Sequence, residues 1–169
     1  MRHNFRRIKS ILAQILPGIY GESYIVAGGY ARDVAFGRVP RDADVLIPFS
    51  DGVYAGVKHS LHTHGIPHTS YPVYEDNEAD PHIKRVIKLP DDEIDLIFTA
   101  YPLRDTIDLF DYNFNKAFMD IHGRANYPDG LPMELVCTGQ YIREERREYM
   151  QSKWEELTCI RNEDFPTFY

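Results

Sequence analysis

The sequence predicts an α/β protein, α+β in arrangement, with a small mixed β-sheet flanked by helices in a single domain. Three stretches lead to that reading. The apolar run Tyr24-Ile25-Val26-Ala27 ends at Gly28-Gly29, which opens a short helical pattern from Tyr30 to Phe36; Gly37 closes it, and a second apolar run, Val45-Leu46-Ile47, follows. Residues 82–99 hold two β-branched runs around Pro90-Asp91-Asp92, the pattern of a hairpin. Residues 4–16 place Phe5, Ile8, Ile11, Leu12, Ile15 and Leu16 on one helical stripe, the pattern of a packing helix.

The remaining elements follow in order. Pro17-Gly18 ends the first helix. Ser50-Asp51 caps a helix from Gly52 to about His64, with Val53, Val57 and Leu61 as its buried stripe and Gly65 as its stop. Residues 68–80 read as a short strand and an acidic loop, and the hairpin strands run from His82 to Leu89 and from Glu93 to Thr99. Taken alone, Phe110, Phe114 and Phe118 read as the buried stripe of a further helix. Leu131 to Val136 reads as a strand, and Thr138 as the cap of a long charged helix, Gly139 to Leu157.

Composition narrows the function. The 169 residues are 43% hydrophobic and 27% charged, ordinary for a soluble globular domain with a proper core. Twelve Tyr and nine Phe are many for this length; packing explains most, and some are expected to line a ligand surface. The formal charge of −7 argues against a broad electropositive nucleic-acid face, and no DNA partner is expected. The basic residues cluster only at the N-terminus, in Arg2, His3, Arg6, Arg7 and Lys9. Cys137 and Cys159 stand far apart in no metal-ligand spacing and read as reduced thiols of a cytoplasmic protein. No apolar run is long enough to span a membrane, and Phe5 to Leu16 is too interrupted by charge for a signal peptide.

The chemistry concentrates between Gly28 and Asp44. Side chains at i and i+2 of a strand share a face, so Asp42 and Asp44 project together at the entrance to the second apolar run. Two like charges so placed are best explained by a cation between them, and oxygen-only ligands select a hard ion, Mg²⁺ or Mn²⁺. Gly28 and Gly29 allow a ligand close to the backbone, and their N–H groups stand at a helix N-terminus, which favours an anion. A phosphate cradle beside a carboxylate metal site describes a nucleoside triphosphate with its magnesium. His59, His62, His64 and His68 raise a competing metal-site reading, but their spacings define no common face, and a solvated helix end is preferred.

Gly28, Gly29, Arg32, Asp33, Gly37, Pro40, Asp42 and Asp44 stand in the pattern GG-x-x-RD-x-x-x-G-x-x-P-x-D-x-D with no gap in spacing. That pattern resembles the signature of the polymerase-β-like nucleotidyltransferases, above all the bacterial-type CCA-adding enzymes and poly(A) polymerases. The resemblance implies a third metal-binding carboxylate on a strand beside the Asp42/Asp44 strand. Asp95 fits that place, because a lone Asp among Ile94, Leu96 and Ile97 is costly to bury unless paired or metal-bound. A partly exposed strand face is the competing explanation, the functional one is preferred, and Asp92 and Glu93 are the fallbacks. A second likeness lies in residues 104–123. There Asp111, Asn115 and Asp120, with Gly123 beyond, match the family's RRDFTINA-x-x-x-D element, which packs under the nucleotide and holds its sugar and triphosphate. Leu109 and Phe110 stand where the family has paired arginines; Lys116 and Arg104 are candidates to compensate. The resemblance covers about residues 20–123, the catalytic head only.

The resemblance implies transfer of a nucleoside monophosphate from an NTP, with ATP as the favoured donor, to an acceptor hydroxyl with release of pyrophosphate. Asp42, Asp44 and Asp95 would be both the catalytic and the metal-binding set. Gly28, Gly29, Arg32, Asp111 and Asn115 would bind the nucleotide, with Asp33 orienting Arg32. The acceptor is read as a small molecule or a protein. A tRNA 3′ end and a non-catalytic nucleotide- or partner-binding module are the alternatives. Tyr30, Tyr112 and Phe114 are available for stacking, but nothing supplies a donor–acceptor set for one Watson–Crick edge, so NTP selection is expected to be weak or purine-leaning.

Overall fold

A computed structural model of the chain describes residues 5–16, 24–72, 82–140 and 142–164, the last five by their backbone alone. The elements run α1 (Phe5–Ile15), β1 (Ile25–Ala27), α2 (Gly29–Ala35), β2 (Ala43–Pro48), α3 (Asp51–Thr63), β3 (Thr69–Pro72), β4 (Ile83–Leu89), β5 (Ile94–Thr99), α4 (Leu103–Asp108), β6 (Phe118–Met119), β7 (Ala125–Asn126) and α5 (Glu144–Asp164). A 3₁₀ turn, Asn113–Asn115, separates α4 from β6. The seven strands form one mixed sheet in the order β3-β4-β5-β2-β1-β6-β7, so the expected small mixed sheet with flanking helices is the observed architecture. Among the described residues no helix is long and apolar enough to cross a membrane.

Alternation along the two central strands sorts their side chains between the faces. Ala43, Val45 and Ile47 of β2, with Ile94, Leu96 and Phe98 of β5, are fully buried in a core shared with α1 and α3. Leu46 of β2 and Ile97 of β5 point to the opposite face, where they meet Ile107 and Leu103 of α4 with Phe118 of β6. Asp44 and Asp95 carry the same parity as Leu46 and Ile97, so both carboxylates belong to the α4 face.

The turn chemistry behaves as the residues dictate. Ser50 Oγ accepts from Val53 N–H at 3.1 Å and starts α3. Gly37, with φ +71°, donates its N–H to the Val34 carbonyl and ends α2.

Several expectations need correction. Leu131–Val136 forms no strand: Asn113 draws this segment in, its Nδ2 donating to the Glu134 carbonyl and its Oδ1 accepting from Val136 N–H, and only Cys137 makes an isolated bridge to Tyr112. Thr138 caps no helix. Its hydroxyl donates to the Phe110 carbonyl at 2.7 Å, the N–H groups of Thr138 and Gly139 both reach the Asp111 carbonyl, and the last helix starts only at Glu144. Phe110, Phe114 and Phe118 do not share a helix either; they sit after α4, in the 3₁₀ turn and in β6, though Phe114 and Phe118 are buried. Pro17-Gly18 and most of the acidic loop before β4 lie outside the described residues.

The last helix docks through a satellite core of Tyr112, Phe114, Met150 and Leu157. Phe114 is fully buried, edge-on to Phe36 with ring centroids 5.2 Å apart and to Trp154 at 4.9 Å.

Candidate active site

The site is assembled where β2 and β5 lie parallel. In their register Asp44 pairs with Asp95 and Ala43 with Ile94, so the two acids face each other across adjacent strands, on one face. Asp42 stands two residues upstream, exposed, at the mouth of β2. β1 lies on the other side of β2, antiparallel, and pairs Ala27 with Asp44. Gly28 therefore comes directly beside the Asp44 carboxylate. Its φ is +71°, and a Cβ built there would stand 3.5 Å from Asp44 Oδ2 and 3.7 Å from the Phe110 ring.

Burial pushes the Asp44 carboxyl up to about 6, and the neighbouring charges of Asp95 and then Asp42 push in the same direction. The opposing pull of Lys88 and Arg146 is smaller. Three acids are thus close enough to feel one another, and two of them already have cationic partners. Asp95 Oδ2 accepts from Lys88 Nζ at 2.9 Å, from the residue opposite it on β4. Asp42 Oδ2 accepts from Arg41 Nη2 at 3.2 Å. Among the described residues no three acids, histidines or cysteines are gathered as ligands of one metal. The donor set nevertheless fits a hard cation: three carboxylates, mutual repulsion centred on Asp44, and a glycine that leaves space against Asp44 Oδ2.

The alternatives to Asp95 lie elsewhere. Asp92 Oδ1 takes a 2.5 Å ion pair from Arg7 of α1, which ties the hairpin turn to that helix. Glu93 has a left-handed φ of 53° in the turn before β5. Asp95 is partly open to solvent, its side chain 31% exposed, because the strand face that carries it is the less covered one.

Arg32 is buried, and its hydrogen-bonding is spent inside the protein. Nε donates to Asp33 Oδ1 at 2.9 Å, Nη2 pairs with the same oxygen at 2.8 Å, and Nη1 donates to Asn115 Oδ1 at 2.9 Å. The guanidinium also lies 5.4 Å from the centroid of the Phe114 ring. Asn115 Nδ2 then donates to Asp111 Oδ1 at 2.9 Å, and Arg146 Nε of α5 donates to Asp111 Oδ2 at 2.7 Å. One chain of charge-assisted bonds therefore links Asp33, Arg32, Asn115, Asp111 and Arg146. The sequence singled out Arg32, Asp33, Asp111 and Asn115; Arg146 and Lys88 were missed, and for Arg146 no signal existed. For Lys88 a signal existed, because a basic residue in the preceding hairpin strand is placed to face an acid in the return strand.

Of the glycine pair, Gly28 donates its N–H to the Ala117 carbonyl at 2.9 Å. Gly29 begins α2, where first-turn N–H groups have no partner within the helix. Asp120 accepts from the N–H groups of His122 and Arg124, which shapes the turn between β6 and β7 and holds its carboxyl below the usual range. His59, His62 and His64 are exposed on and just after α3, and His68 contacts the Ile66 carbonyl through Nδ1.

No family model matches the chain, and no curated protein matches it. Solved structures do. The CCA-adding enzyme of Bacillus stearothermophilus, solved in complex with CTP, superposes with a TM-score of 0.51 over 76% of this chain and 30% of that one, at 18% identity. A tRNA-processing enzyme in its apo form superposes with a TM-score of 0.50 over 81% of this chain and 33% of that one, at 16% identity. The chain has the nucleotidyltransferase fold. It spans about a third of the length of these two structures.

Two expected results follow from the acids of this nucleotidyltransferase-fold site. The first concerns pH. The folded protein holds the Asp44 proton more tightly than the unfolded chain does, so the Asp44 contribution to stability falls as pH rises from about 4 to about 6, then levels off. Its size is about 2 to 3 kcal/mol at most, at 1.36 kcal/mol per pKa unit. Urea denaturation of the metal-free protein across that window reads it, as the difference between wild type and Asp44→Asn. The second concerns Lys88→Met. Lys88 would compete with a metal ion for Asp95, and an exposed pair of this kind is worth up to about 1 kcal/mol. Mg²⁺ or Mn²⁺ binding should therefore tighten about two- to fivefold, measured by calorimetry.

Proposed function

We propose that this protein is a metal-dependent nucleotidyltransferase that moves a nucleoside monophosphate from an NTP to an acceptor hydroxyl and releases pyrophosphate. The observation that carries the reading is the parallel register that sets Asp44 beside Asp95, with Gly28 against the Asp44 carboxylate.

Asp42, Asp44 and Asp95 would hold two Mg²⁺ or Mn²⁺ ions, whose chemistry is to activate the acceptor oxygen and to neutralise the triphosphate and departing pyrophosphate. The protein's share is positioning and charge. Asp44 is ionised at neutral pH, above its shifted value of about 6, so it is ready to bind a cation. The Gly29 N–H at the start of α2 would donate to a phosphate oxygen, and Gly28 adds no side chain to the approach. Arg32 and Asp33 support the nucleotide indirectly, by fixing Asn115 and through it Asp111.

ATP is the favoured donor. The −7 charge supports a small-molecule or protein acceptor over bulk RNA, in a single cytoplasmic domain. A tRNA 3′ end is the alternative acceptor, supported by the CCA-adding and tRNA-processing proteins that share the fold. One observation favours a second reading, a non-catalytic nucleotide- or partner-binding module: Arg41 and Lys88 of the chain itself pair with Asp42 and Asp95.

Incubation with Mg²⁺, each α-labelled NTP in turn and a cell extract separated into small molecules, protein and RNA tests the proposal. Metal-dependent label in one fraction supports transfer and names the acceptor class. NTP binding with no label in any fraction supports the binding module.

A further inference from the structure

We propose that the phosphates of the bound nucleotide are met by Arg146 of α5, a cation supplied from beyond the segment that resembles the known family. The inference rests on the nucleotidyltransferase reading and deepens it.

In the head, the positions of the family's paired arginines carry no charge, and two of its arginines are engaged elsewhere. Leu109 is exposed where a basic residue is expected, and Phe110 packs towards Gly28. Arg32 is buried and paired with Asp33 and Asn115. Arg104 stands over the Phe118 ring, its guanidinium carbon 3.8 Å from the centroid.

Arg146 is differently placed. Its Nε is held by Asp111 Oδ2 at 2.7 Å, and Asp111 is itself held by Asn115, so the side chain has a fixed root. Its Nη atoms make no further hydrogen bond among the described residues, its guanidinium carbon stands 5.6 Å from the Tyr149 ring centroid, looser than the Arg104 contact, and the side chain is 43% exposed. With Arg143, Glu145 and Tyr149 it lines a shallow depression of about 560 Å³, wide open to solvent, at the start of α5. Arg146 is bound to Asp111, and the next residue back, Phe110, stands with the Asp44 carboxylate against Gly28, so Arg146 lies on the carboxylate side of the fold. A guanidinium anchored through one nitrogen, with its Nη pair open to that depression, suits a polyphosphate better than a base or a sugar.

The test is equilibrium binding of Mg·ATP, inorganic tripolyphosphate and AMP to wild type, Arg146→Gln and Arg146→Lys. The fluorescence of Trp154, the only tryptophan, reports whether α5 stays docked. The expected result is a ten- to hundredfold loss for Mg·ATP and tripolyphosphate in Arg146→Gln, AMP within twofold, partial recovery in Arg146→Lys, and an unchanged Trp154 signal. Equal losses for AMP and tripolyphosphate, or a Trp154 signal altered in both variants, would make Arg146 a strut for α5 and overturn the inference. Unchanged Mg·ATP binding in Arg146→Gln would overturn it while leaving the nucleotidyltransferase reading intact. Wild type that binds no triphosphate would remove both.

Discussion

Asp44→Asn should abolish nucleotide transfer while making the metal-free protein more stable at neutral pH. Asp44 is the acid on which the repulsion converges: its carboxyl is half-buried, faces Asp95 across the β2–β5 register, and is pushed up to about 6. An amide keeps the shape and removes the charge. A metal-binding carboxylate supplies several kcal/mol of charge stabilisation in such a reaction, so turnover should fall about 10³-fold or more. Stability should move the other way. Ionising Asp44 in the folded state costs up to about 2 to 3 kcal/mol at pH 7, and the variant avoids that cost. At about 2–4 °C per kcal/mol, the apo melting temperature should rise by several degrees. Added Mg²⁺ should stabilise wild type and leave the variant nearly unmoved. Activity assays and melting curves with and without Mg²⁺ read both halves, and full turnover in Asp44→Asn would contradict the mechanism.

Arg32→Ala should be the most destabilising single change near the site. Removing the guanidinium leaves Asp33 without its ion pair and Asn115 Oδ1 without its donor in a buried setting. Breaking such a pair costs about 3–5 kcal/mol. It also strips the cation from beside Phe114, whose ring carries Trp154 and hence α5. Denaturation should show the loss, with Trp154 emission shifting to the red before the main transition. Arg32→Lys should recover only part, because an ammonium cannot serve Asp33 and Asn115 together in the fork geometry. If Arg32 instead served only as a phosphate ligand, Arg32→Ala would keep wild-type stability and lose NTP affinity alone.

The contrast between these two residues shows what a linear sequence carries. The fold class was legible because its signals are local: Gly28-Gly29 and Gly37 bracket a helix between two strands, and β-branched runs on either side of Pro90-Asp91-Asp92 mark β4 and β5. That Asp44 sits on the open face of β2 needs only the strand period, whereas Asp42 lies just before the strand, where the period no longer applies. The register of β2 against β5 is a long-range fact, yet Asp95 was reachable because an acid in an apolar strand demands a reason. What escaped were contacts between distant segments. Arg146 meets Asp111 across 35 residues, and no periodicity announces it. Asn113 claims the backbone of Glu134 and Val136, so a run with strand composition never joins the sheet. Thr138 has the look of a helix cap, but the Phe110 carbonyl takes its hydroxyl first. Arg32 reads as a free cation because the sequence cannot show that Asn115 will stand within 2.9 Å of it.

The central claim is that the chemistry at Asp42, Asp44 and Asp95 is nucleotidyl transfer. The most direct measurement follows two labels in parallel, one on the α-phosphate and one on the γ-phosphate of the NTP that the protein prefers, with Mg²⁺ and the acceptor fraction. The expected result is α-label in the acceptor, γ-label in free pyrophosphate, and neither in Asp44→Asn. Transfer of the γ-label to the acceptor, or α-label transfer that survives in Asp44→Asn, would contradict the account.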